Sequence, residues 1–146
     1  VQITLARGIG FWWAALLLSA TFGLLHLANH AESPVGIFTA MAFGLLCCLS
    51  LWLTRSLWWA VGLHAGWDWA QSYLFGVADS GVTFAGHLYA SHPIGSRILS
   101  GGGTGPEGSL YAIPVVAIIG AGAWLTLRAK PGAEPQWNSS DTRHAA

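Results

Sequence analysis

Three side chains in this sequence could do chemistry in unusual surroundings: His26 in "FGLLHLANH", and His64 and Asp68 in "GLHAGWDWAQ". An imidazole can pass a proton near neutral pH or ligate a metal through a ring nitrogen. A carboxylate four residues further along a helix sits one turn away, close enough to orient that ring or to share a metal with it. At about 100° per residue, His64, Asp68 and Gln71 fall within one sector of roughly 60°. Gly62 and Gly66 lie on the opposite side, a small-xxx-small spacing that allows close helix approach.

The surroundings are apolar. Of 146 residues, charged ones make up 8% and hydrophobic ones 53%, with nine Trp. A soluble domain carries roughly 25% charged residues, so this chain has too few polar groups to cover a surface in water, and the lipid bilayer is its expected solvent. The formal net charge is zero, and no basic run suggests a nucleic-acid partner. Cys47 and Cys48 are adjacent in an apolar run, which is no disulfide framework; they read as small hydrophobes.

Four segments can cross a hydrocarbon core of about 30 Å, which takes roughly 20 helical residues. They cover about 10–29, 34–54, 57–77 and 108–127, the second opening at Pro34, a residue suited to a first helical turn. No period-two alternation recurs, so strands are not expected. The fold class is therefore all-α, a polytopic membrane protein of about four transmembrane helices. Residues 30–33 and 55–56 read as tight links, and 78–107 as a long Gly- and Ser-rich loop. Residues 1–128 form the transmembrane domain, followed by a polar tail, 129–146, expected to be disordered. With four spans, Arg7, Arg55, Arg128, Lys130 and Arg143 share one side and Arg97 takes the other. Both ends are thus expected to be cytoplasmic.

An ionisable residue at the centre of a span costs roughly 2.5–3.5 kcal/mol on insertion scales, so it marks either function or a paired structural contact. A His–Asp pair that binds helices together accounts for the spacing of His64 and Asp68 as well as chemistry does. His30 follows His26 by four, a zinc-compatible spacing, yet it sits at a helix end where an imidazole costs little. Glu107, beside Pro106, reads as a first-turn carboxylate that complements the dipole of the fourth span. His87 and His92 have no partner spacing. The HExxH, G-x-S-x-G and GxxxxGK[ST] motifs do not occur.

With these residues in place, the chain resembles the CPBP family of intramembrane proteases, the CAAX prenyl endopeptidase and bacteriocin-processing (Abi-type) group. The F-x-x-x-H motif matches Phe22 to His26, and the H-x-x-x-N/D motif matches His64 to Asp68. "GFWWAALLLSATFGLLHLAN", "WWAVGLHAGWDWAQSYLFG" and "GPEGSL" are also similar to family text, so the resemblance spans about 8–127. The family's E-E-x-x-x-R motif has no counterpart, since no Glu precedes Glu32. The chain is accordingly expected to be the C-terminal part of a longer protein or a truncated relative.

The resemblance implies an endopeptidase acting on membrane-associated, prenylated or leader-peptide substrates. In it, a motif-one glutamate activates water with help from His26, while His64 and the third-motif residue stabilise the oxyanion. His26, His64 and Asp68 are the catalytic candidates, and Zn²⁺ is an open possibility on the same three residues. An ionised Asp68 would repel an oxyanion, so its expected role is to orient His64. Without the motif-one carboxylate the isolated chain is expected to be inactive. The expected setting is a bacterial or archaeal cell membrane. A non-catalytic scaffold or partner-binding module is the alternative, and a proton or metal transporter element a third reading. Simple antiparallel packing leaves one tension. It puts His26 about 24 Å along its helix from the cytoplasmic side and His64 only about 10 Å along its own, at a 1.5 Å rise per residue.

Overall fold

The computed structural model describes residues 1–128; the expected tail, 129–146, lies outside them. The described residues are helices and connections, with no strand beyond an isolated Asp79–Val82 bridge. Helix α1, Gln2–Ile9, is an element the sequence reading did not separate. It ends at Gly10, whose φ of +85° breaks the chain before α2, Phe11–Leu25. A single 3₁₀ turn, His26–Ala28, continues α2. Helix α3, Pro34–Thr54, starts as its sequence requires: Pro34 occupies the first turn and the Ser33 hydroxyl accepts the Gly36 N–H at 3.0 Å. Helix α4, Leu57–Trp69, runs on into a π turn, Ala70–Phe75, which stops at the left-handed Gly76. A short α5, Arg97–Ser100, and a 3₁₀ turn, Pro106–Gly108, interrupt the long loop before α6, Ala112–Leu127.

Two helices, Phe11–Ala28 and Pro34–Thr54, are long and apolar enough to cross a membrane, and Ala112–Leu127 is apolar but shorter. The fourth span therefore starts four residues later than expected, because Pro106–Gly108 forms its own turn and Ser109 is extended. The outward helix faces remain apolar: Trp58 is 79% exposed and Ile118 70%. Lipid solvates such faces, whereas water penalises them.

Helix α3 is the central pillar. At its C-terminal half, Leu51 packs with Ala6, Phe11, Ala14 and Ala15 of α1 and α2, and Phe11 meets Trp52 at a 4.8 Å ring separation. On its other side, Phe43 and Leu46 pack with Val116 of α6, and Leu63 and Trp67 of α4 join them. Glycine sets how closely α2 approaches α3. A Cβ on Gly23 would lie 2.2 Å from the Met41 side chain and 2.9 Å from the Ile37 carbonyl. The expected glycine contact on α4 is not made among the described residues: a Cβ on Gly62 or Gly66 would meet nothing within 4 Å. These two residues sit on the outward face, because α4 turns its His64 side toward α3.

Candidate active site

His26, His64 and Asp68 line one cavity. Its volume is ≈ 20 Å³, room for about one water, and its walls also include Phe22, Thr39, Phe43, Trp67, Ser80 and Glu107. The depth mismatch expected from level helix ends does not arise. Register is set by packing against α3, with Gly23 of α2 beside Ile37 and Met41, and Phe43 beside both His64 and Trp67. Phe22 and Phe43 meet the His64 ring edge-on from two helices, at 5.4 and 5.7 Å between centroids.

The local geometry assigns His26 a tautomer. Its Nδ1 lies 2.7 Å from the Phe22 carbonyl oxygen. A carbonyl can only accept, so Nδ1 carries the proton and Nε2 keeps its lone pair for a proton or a ligand. Phe22 also stacks edge-on against the same ring, at 4.6 Å. The F-x-x-x-H spacing thus has a local purpose: residue i supplies both the carbonyl and the aromatic wall that fix residue i+4.

His64 and Asp68 are held more loosely. His64 Nε2 and Asp68 Oδ2 stand 3.6 Å apart, beyond hydrogen-bond length. Their side chains are 44% and 46% exposed, so the aromatic edges of Phe22 and Phe43 fix the imidazole more firmly than the carboxylate does. Gln71, expected to share their face, is off the cavity; it is buried, and neither amide atom has a partner among the described residues. His30, His87 and His92 are not in the cavity wall.

The sequence reading missed the far wall. Glu107 is buried and lines the cavity, in its own turn ahead of α6 and not in that helix's first turn. One of its oxygens accepts the Ser80 N–H, and the other accepts from Trp67 Nε1 at 3.4 Å. Two more carboxyls border the site from outside the spans. Burial pushes Asp79 above the usual carboxylate range, against the donated Ser72 hydroxyl at 3.0 Å, and the charge of Glu107 adds to the rise. Burial likewise raises Glu32, opposed by the Ser33 N–H at 2.8 Å. The available signal was "GPEG" itself, an acid between glycines in a chain with only six acidic residues.

A metal fits this arrangement poorly. Among the described residues no three His, Cys, Asp or Glu side chains gather as a metal site.

Residues 1–70 match the family model for type II CAAX prenyl endopeptidases, Rce1-like. Over that stretch the chain is similar to Rce1-like proteins. The match takes in His26, His64 and Asp68 and stops short of Ser80 and Glu107. Rce1-like proteins are membrane proteases, and with its apolar helices this chain is an integral membrane protein. No curated protein and no solved structure matches it.

Proposed function

We propose that this Rce1-like chain forms part of an intramembrane endopeptidase that hydrolyses peptide bonds of membrane-associated substrates, prenylated or leader-peptide in type. The observation that supports it most is the meeting of His26, His64 and Asp68 at one water-sized cavity, from helices that share no sequence proximity. In this reading the free Nε2 of His26 takes a proton from water as the water attacks the scissile carbonyl. His64 faces the developing oxyanion, and Asp68, 3.6 Å from its Nε2, helps orient the ring. Both oxygens of Glu107 are engaged by N–H donors, and Asp68 is assigned to His64 in this reading, so the carboxylate that assists His26 in activating water comes from elsewhere. Residues 1–146 alone are then inactive, and the motif-one carboxylate from a flanking segment or partner completes the site. The orientation goes with this reading: both ends of the segment lie in the cytoplasm of a bacterial or archaeal cell.

The test is cleavage of a quenched fluorescent peptide carrying an S-farnesyl cysteine, and of the same peptide without the lipid. The native protein, with any residues that flank 1–146, is reconstituted in liposomes. Cleavage lost in His26→Ala supports the proposal. Absence of cleavage of either peptide, with the protein folded, favours the scaffold reading.

A further inference from the structure

The stretch "GGGTGPEGS", 101–109, does more than span a gap. Its conformation is one that only glycine permits at several points. A Cβ on Gly105, at φ +102°, would lie 1.9 Å from the Ala78 carbonyl oxygen, and one on Gly101, at φ +80°, 1.7 Å from the Gly105 carbonyl oxygen. These close approaches carry Glu107 into the interior, where it is 6% exposed.

There Glu107 joins two elements. Its first partner is the Ser80 N–H, in the Asp79–Val82 turn. Ser80 holds φ +46°, a left-handed conformation uncommon outside glycine, and its own carbonyl accepts from Asn29 Nδ2 at 2.8 Å. Gly81 continues the turn and donates to the Thr104 carbonyl at 2.8 Å, while the Thr104 hydroxyl donates to Ala31 at 2.8 Å. The second partner is Trp67, next to Asp68 on α4 and packed on Phe43 at 5.1 Å. Both partners are N–H donors, so the position calls for a side chain that only accepts. A carboxylate meets that demand at both oxygens, whereas an amide would turn a donor toward one of them.

We propose that Glu107 is a positioning residue for the reaction assigned above. It clasps the Asp79–Val82 turn to Trp67 and so fixes the far wall of the cavity at the distance the His64 and Asp68 face requires. The inference rests on the protease reading for its purpose, and on the two hydrogen bonds for its existence.

The test uses the native protein with Glu107→Gln, Trp67→Phe and the double variant, read by amide hydrogen exchange at 78–82 and by the pH profile of peptide cleavage. In Glu107→Gln, exchange at Ser80 rises about 10-fold or more. Cleavage falls by about 100-fold, the scale of a misplacement near 1 Å, and the acid limb of the pH profile stays in place. The double variant regains part of the lost rate, because the donor facing the new amide is gone. Wild-type exchange in Glu107→Gln overturns the clasp. Loss of the acid limb overturns positioning in favour of direct proton transfer. If Glu107→Gln does not fold, Trp67→Phe carries the test: a cavity role predicts slower cleavage with Ser80 exchange unchanged, and an unaltered rate contradicts it. Faster exchange in Glu107→Gln beside a wild type that cleaves nothing supports the clasp and counts against the protease reading alone.

Discussion

His26 Nδ1 donates to the Phe22 carbonyl at 2.7 Å, one helical turn back along the same chain. That bond leaves Nε2 without the ring proton, as the proposed reaction needs, and it predicts a spectroscopic signature. With selectively ¹⁵N-labelled histidine at neutral pH, the His26 signals should be those of the Nδ1–H tautomer. The common Nε2–H tautomer at this residue would contradict the geometry and remove its proton-accepting role.

Asp68 tests whether a carboxylate is needed beside His64. The 3.6 Å separation makes the contact electrostatic, so Asp68→Asn keeps the shape and loses the charge. We expect cleavage to fall by about 10-fold, less than the roughly 10²–10⁴-fold of a group that transfers the proton itself, with thermal stability little changed. An unaltered rate would exclude an obligatory carboxylate at this position.

Thr39 predicts a stability gain. Thr21, Thr54 and Thr126 each donate to the carbonyl four residues back, at 2.7–2.8 Å. Thr39, in the cavity wall, is buried, and its hydroxyl has no hydrogen-bond partner among the described residues. An unmatched buried hydroxyl costs about 1–3 kcal/mol. Thr39→Val should therefore raise the melting temperature in detergent by the equivalent of about 1 kcal/mol. A drop in stability would show that the hydroxyl is paired, for example with a water held in the cavity.

Asp79 links stability to pH. Its folded-state carboxyl titrates above the usual value because burial disfavours the charge, so the folded chain holds its proton more tightly than the unfolded chain. Stability then falls as pH rises from the ordinary carboxylate range through the raised value, and the cost persists at neutral pH. Asp79→Asn keeps an acceptor for Ser72 and should flatten that fall, with a gain at pH 7 that vanishes near pH 4. Melting curves across that range decide it; a larger gain at low pH would reverse the sign and contradict the burial argument.

Much of the site was legible because its signals are local. The helical spacing of His64 and Asp68, the F-x-x-x-H turn and the Ser33–Pro34 helix start each lie within a few residues. What escaped is non-local or depends on backbone that periodicity does not report. Glu107 reaches Trp67 across 40 residues and Ser80 across 27, and nothing in a helical wheel connects them. Gly10 splits the first apolar stretch from α1 by one positive φ. The Gly62 and Gly66 spacing was visible, but the side that packs is chosen by Phe43 and Trp67, whose ring contact at 5.1 Å draws the opposite face inward.

The central claim is that His26 and His64, from separate helices, serve one reaction centre. The most direct measurement is a double-mutant cycle on kcat/KM for His26→Ala, His64→Ala and the double variant in the reconstituted native protein, with melting temperatures taken alongside. Residues that act as a unit give a double variant no slower than the worse single one, and that is the expected result, with all three proteins folded. Full activity in either single variant, with only stability changed, would contradict the shared centre and make the two histidines packing groups of a scaffold.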